Sequence, residues 1–257
     1  MALSANTVTP ILSGIFGVAG MTITAGLIKA ISPTVSRPQL LFSIFAAMAV
    51  VLLAVLAAKR VPIPSLADFK CQLIPAALML AASACLTVGL AKLPITVIVA
   101  LMCMTPLLVA GIEVIAWRRR LDPVVICGLL AGSVGAGMIA HSERKLGLPA
   151  LVVAVLAPIT AAFAIALADV ASGQMRHTAQ VAFTRFTLVT LGTLPLLGLG
   201  PWHAPDAVNS FSFLLVGLFG VGGYLCLKRA AASLPAAQFA VIEQTALLWA
   251  ALVGLIT

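Results

Sequence analysis

The residues best suited to chemistry are two charges embedded in otherwise apolar runs, Glu243 and Arg185. An isolated carboxylate in such a run can bind an amine or carry a proton. An isolated guanidinium can bind an anion, or hold a carboxylate ionised until a ligand competes for it. The opposing reading is a structural ion pair that fixes helix packing, with Arg185 snorkelling toward the interface. Gln238, Gln244 and Thr245 share the run of Glu243, and Thr22 stands with Thr24 in the first run, so these side chains can line a polar path. Hydroxyls also bond the carbonyls of their own helix, and both readings of the threonines stay open. Tyr224, the single tyrosine, lies among Gly217, Gly220, Gly222 and Gly223. The glycines suit close helix packing, and the tyrosine reads as an interfacial anchor or a cavity wall. Trp249 reads first as packing and second as part of that wall. Glu113 reads as a partner of the arginines that follow it at Arg118, and Asp169 as an interfacial charge near Arg176 and His177.

Catalysis by side chains requires clustered groups, and here they are dispersed. His141, His177 and His203 have no metal-ligand spacing, and the five cysteines (Cys71, Cys85, Cys103, Cys127, Cys226) fall in apolar runs without a CxxC pair. No GxxxxGK[ST] stretch occurs, which argues against direct ATP use. No catalytic residue, metal or cofactor is therefore expected, and the chain is not expected to be an enzyme.

The elements that must hold these groups follow from composition. Of 257 residues, 62% are hydrophobic and 9% charged, and the mean hydropathy is +1.20. Soluble domains carry about 25% charged residues, so this chain cannot coat a globule in water. Outer-membrane barrels alternate apolar and polar positions, whereas these runs are apolar throughout. The net charge of +8 lies in short loops without interleaved aromatics, which excludes a nucleic-acid platform. What remains is an all-α integral membrane protein with the lipid bilayer as its solvent.

At about 20 apolar residues per crossing, spans are predicted over 8–30, 37–58, 71–91, 94–117, 122–140, 148–171, 179–199, 208–227 and 235–257. The first has no basic residue before it and reads as a retained helix rather than a signal peptide. With the N-terminus inside, cytoplasmic loops hold nine Lys and Arg and outer loops five, with Arg185 left inside a span. That bias predicts a cytoplasmic N-terminus in a cell (inner) membrane.

One internal offset recurs. Gln39, Phe42, Phe45 and Leu53 fall on Gln180, Phe183, Phe186 and Leu194 when 141 is added; Cys85-Leu86 fall on Cys226-Leu227, and Leu93-Pro94 on Leu234-Pro235. Five helices per copy predict inverted repeats over 1–146 and 147–257. Nine transmembrane helices are then visible of an expected ten, the recurrence of 122–140 falling beyond Thr257. Its place is expected to be empty, filled by lipid, or supplied by a second subunit in a homodimer.

Several segments resemble a known family. Lys92-Leu93-Pro94 through Met104-Thr105-Pro106-Leu107-Leu108, with the glycine-rich span that follows, is similar to the fourth and fifth helices of EamA-like proteins of the drug/metabolite transporter superfamily. Tyr224-Leu225-Cys226-Leu227-Lys228-Arg229-Ala230 and Ile242-Glu243-Gln244-Thr245-Ala246-Leu247-Leu248-Trp249 resemble its eighth and ninth helices. The chain departs from the family pattern at Gln244, where a tyrosine is usual, and at Ser43-Ile44, where an arginine is frequent. The resemblance implies a secondary transporter of small organic metabolites or drugs working by alternating access, with export the favoured direction. Two other classes stand beside it: a nontransporting membrane subunit or remnant, and an intramembrane enzyme acting on lipid.

Overall fold

The computed structural model describes residues 5–102, 104–117, 148–171, 177–198, 200–202, 204, 206–234 and 236–254, with 123, 126–127, 130–131, 134–135 and 138 between them. Regular structure among the described residues is helical. In chain order the helices are α1 (Ala5–Ile31), α2 (Arg37–Ala58), α3 (Leu66–Cys71), α4 (Leu73–Lys92), α5 (Ile95–Met102), α6 (Thr105–Trp117), α7 (Leu148–Ala171), α8 (Thr178–Leu197), α9 (Ala207–Ser233), α10 (Ala236–Gln244) and α11 (Ala246–Gly254).

Local sequence sets where they begin and end. α2 opens with Pro38 in its first turn, where a missing N–H is harmless. α3 opens with a capping box in which the Asp68 carboxylate accepts from the Ser65 amide at 2.8 Å. The Asp206 carboxylate accepts from the Asn209 amide at 2.9 Å and starts α9. Leu93 and Leu234, each followed by proline, adopt extended backbone and stop α4 and α9.

Five helices, Thr9–Ile31 within α1, α2, α4, α8 and α9, are long and apolar enough to cross a membrane. Phe16, Ile115, Val241 and Leu248 turn large apolar side chains outward, which suits lipid rather than water. The helices are thus those of a membrane-embedded, multi-pass protein.

Two predicted spans are broken. Residues 94–117 and 235–257 were expected to be continuous helices, and each is interrupted. At the first break the Met104 amide donates to the Leu101 carbonyl at 3.0 Å, and Pro106 has no N–H to offer the Met102 carbonyl. At the second, the Thr245 amide donates to the Ile242 carbonyl at 3.0 Å, and the Thr245 hydroxyl reaches the same oxygen at 2.6 Å. Both breaks replace an ordinary helical turn by a tighter one. The eighth span also runs six residues beyond its predicted end at 227, to Ser233. The predicted span over 122–140 lies mostly outside the described residues.

Packing is dominated by three seams: α1 on α9, α4 on α7, and α2 on α8. The first is a backbone contact. A Cβ at Gly17 would lie 2.8 Å from the Leu227 amide nitrogen, and one at Gly223 would lie 2.9 Å from the Gly17 carbonyl. Such an approach admits only glycine. The main core, including Ile28, Leu40, Phe45, Leu52, Leu90, Val97, Phe186 and Val216, draws on α1, α2, α4, α5, α8 and α9. A smaller cluster of Val18, Ala230, Leu234 and Ile242 joins α1, α9 and α10.

Candidate binding site

Arg185 lies on α8 with 6% of its surface exposed. Its Nη2 and Nε donate to the Gln72 side-chain carbonyl at 3.2 and 3.4 Å. Gln72 sits between α3 and α4 and is wholly buried, at 0% exposure. Its Oε1 is taken by the guanidinium, and its Nε2 has no hydrogen-bond partner among the described residues. An orphaned buried donor costs about 1–3 kcal/mol. A buried guanidinium facing a neutral acceptor is likewise short of a counter-charge.

Counted from the cytoplasmic ends of the predicted spans 179–199 and 235–257, Arg185 lies six residues in and Glu243 eight, so the sequence predicts a similar depth and a shared central cavity in which the two can pair. The described residues contain no ion pair between them; the guanidinium bonds Gln72 instead. Glu243 belongs to α10, which packs on α1 and α9, whereas α8 packs chiefly on α2 and α4. The cation whose field reaches Glu243 is Lys228 of α9. Equal depth along two helices does not bring two faces together. A helical side chain also leans toward its own N-terminus, which carries Arg185 back to the first turn of α4.

The remaining candidates divide. The Thr22, Thr24 and Thr245 hydroxyls donate to the carbonyls of Val18, Gly20 and Ile242, so all three are engaged within their own helices. Gln244 presents a buried Oε1 with no hydrogen-bond partner among the described residues, beside the break at Thr245. Tyr224 is packed among aromatic rings: its ring meets Phe186 edge-on at 5.7 Å, and Phe186 meets Phe45 at 5.8 Å. Trp249 packs against the Val18–Ile242 cluster. The side chains of Gln238, Glu113 and Asp169 lie outside the described residues.

Gln72 is absent from the sequence-predicted site residues, although it is wholly buried and accepts from the Arg185 guanidinium. Its signal is weak, a single glutamine at the edge of an apolar run, where an interfacial residue is the ordinary expectation.

A scan against models of protein families finds no match to this chain, and a search of curated proteins finds no relative.

Proposed function

We propose that the chain is a secondary transporter of small organic solutes, of the EamA-like kind that its segments resemble. In this reading it is built as inverted repeats, lies in a bacterial inner membrane with a cytoplasmic N-terminus, and exports solute by alternating access. The observation that carries the reading is the pair of interrupted helices. Met104 and Thr245, the residues at the two breaks, differ by 141, the offset read from the sequence. Transporters with inverted repeats place their sites at interruptions in corresponding helices of the two halves.

Further support comes from the same arithmetic applied elsewhere. Adding 141 to the first residues of α2 and α5, 37 and 95, gives 178 and 236, the first residues of α8 and α10. The packing obeys it too: the offset carries α1 to α7 and α4 to α9, so the α4–α7 and α1–α9 seams exchange, and α2–α8 maps onto itself. In the inverted-repeat reading, such a relation lets one half rock against the other around a fixed site.

The test is flux. Purified chain in proteoliposomes should exchange labelled solute from a mixed pool of amino acids, amines and vitamins. Flux no higher than in protein-free vesicles would overturn the reading in favour of a nontransporting subunit.

A further inference from the structure

We infer that Arg185 and Gln72 form a binding site for one oxyanion group, a carboxylate or a phosphate. Three observations converge on it. The guanidinium is buried, and no carboxylate pairs with it among the described residues. It spends Nε and one Nη2 bond on Gln72 Oε1, which leaves further N–H donors on the fork. Gln72 Nε2 is a second donor, wholly buried and without a hydrogen-bond partner among the described residues, on the same amide that the guanidinium holds in place.

Both groups therefore offer hydrogen and neither offers a lone pair. The ligand that satisfies them is an acceptor with negative charge and at least two oxygens, one for the orphaned amide and one for the fork. A water molecule supplies acceptor capacity without the charge, and a protonated amine supplies neither. The position adds to the preference: Gln72 is the residue from which α4 starts, and the first turn of that helix has no acidic residue and no side-chain cap. The positive end of the helix dipole thus faces no competing anion from its own turn.

Taken with the transporter reading, on which this extension alone rests, the oxyanion belongs to the solute, and the favoured substrates are organic acids or amino acids. The site itself stands apart from transport, and its test needs no gradient. The full chain, with 15N-labelled arginine, would be placed in phosphatidylcholine nanodiscs. The Nε–H resonance of Arg185 would be assigned by its loss in Arg185→Lys. Sodium lactate and inorganic phosphate are the probes, and discs containing phosphatidylglycerol form the third arm.

A saturable shift with lactate or phosphate identifies a free oxyanion as the ligand; a shift only in phosphatidylglycerol discs identifies a lipid headgroup. No shift in any arm overturns the site. Gln72→Glu supplies the missing counter-charge within the protein and keeps the acceptor for Arg185. It should abolish the response and leave the melting temperature at or above that of the parent. An undiminished response in that variant also overturns the site. Arg185→Lys, which keeps the charge and loses the fork, should weaken lactate binding about tenfold in a thermal-shift titration. Binding without flux in proteoliposomes would sink the transporter reading and leave the oxyanion site standing.

Discussion

Phe45 and Phe186 meet across the α2–α8 seam with ring centroids 5.8 Å apart, and both rings are buried. Tilted aromatic pairs of this kind couple by about 0.5–1.5 kcal/mol beyond the area they bury. A double-mutant cycle with Phe45→Leu and Phe186→Leu, read by chemical unfolding in detergent, should return a coupling in that range. Strict additivity would mean that the contact contributes only apolar area.

The α1–α9 seam predicts an asymmetry between neighbouring glycines. A Cβ at Gly223 meets the Gly17 carbonyl at 2.9 Å and the Met21 amide nitrogen at 3.0 Å, while one at Gly222 meets nothing within 4 Å. Gly223→Ala should lower the melting temperature of the purified protein by several degrees. Gly222→Ala should leave it unchanged or raise it slightly, since alanine favours helix by roughly 1 kcal/mol over glycine. Equal effects at the two positions would contradict the packing.

Glu243 stands near the second break, within the field of Lys228. If it binds substrate or carries a coupling ion, Glu243→Gln abolishes flux in proteoliposomes while the yield of folded protein stays normal. Flux at the parent rate would reduce Glu243 to a structural charge.

Orientation is open to direct labelling. In a cysteine-free background, Lys59→Cys in the turn after α2 should react with a membrane-impermeant maleimide only in inside-out vesicles. Pro33→Cys, in the turn after α1, should react only in intact cells. The reverse pattern would place the N-terminus outside.

Much of the helical framework is legible in the sequence because lipid imposes a length on every apolar run. The predicted 37–58 and 148–171 coincide with α2 and α7, and the stops at Leu93 and Leu234 follow from the prolines behind them. The two interruptions are harder to read, since hydropathy is blind to backbone hydrogen bonding. Pro106 is a signal for the first, and nothing comparable marks the second, where a hydroxyl captures a carbonyl. The site is less legible still. Depth along a helix can be counted from sequence, but azimuth depends on which helices become neighbours. The bond from Arg185 to Gln72 therefore cannot be read from the sequence, where Gln72 stands as an edge residue.

The glycine contact between α1 and α9 has a mechanical consequence. Side chains can change rotamer to let helices slide, but a peptide carbonyl packed against a neighbouring backbone has no such freedom. Any motion that preserves this contact must carry α1 and α9 together as a single strut. The α2–α8 seam, closed by the rings of Phe45 and Phe186, is where side chains can roll, and so where the bundle has compliance.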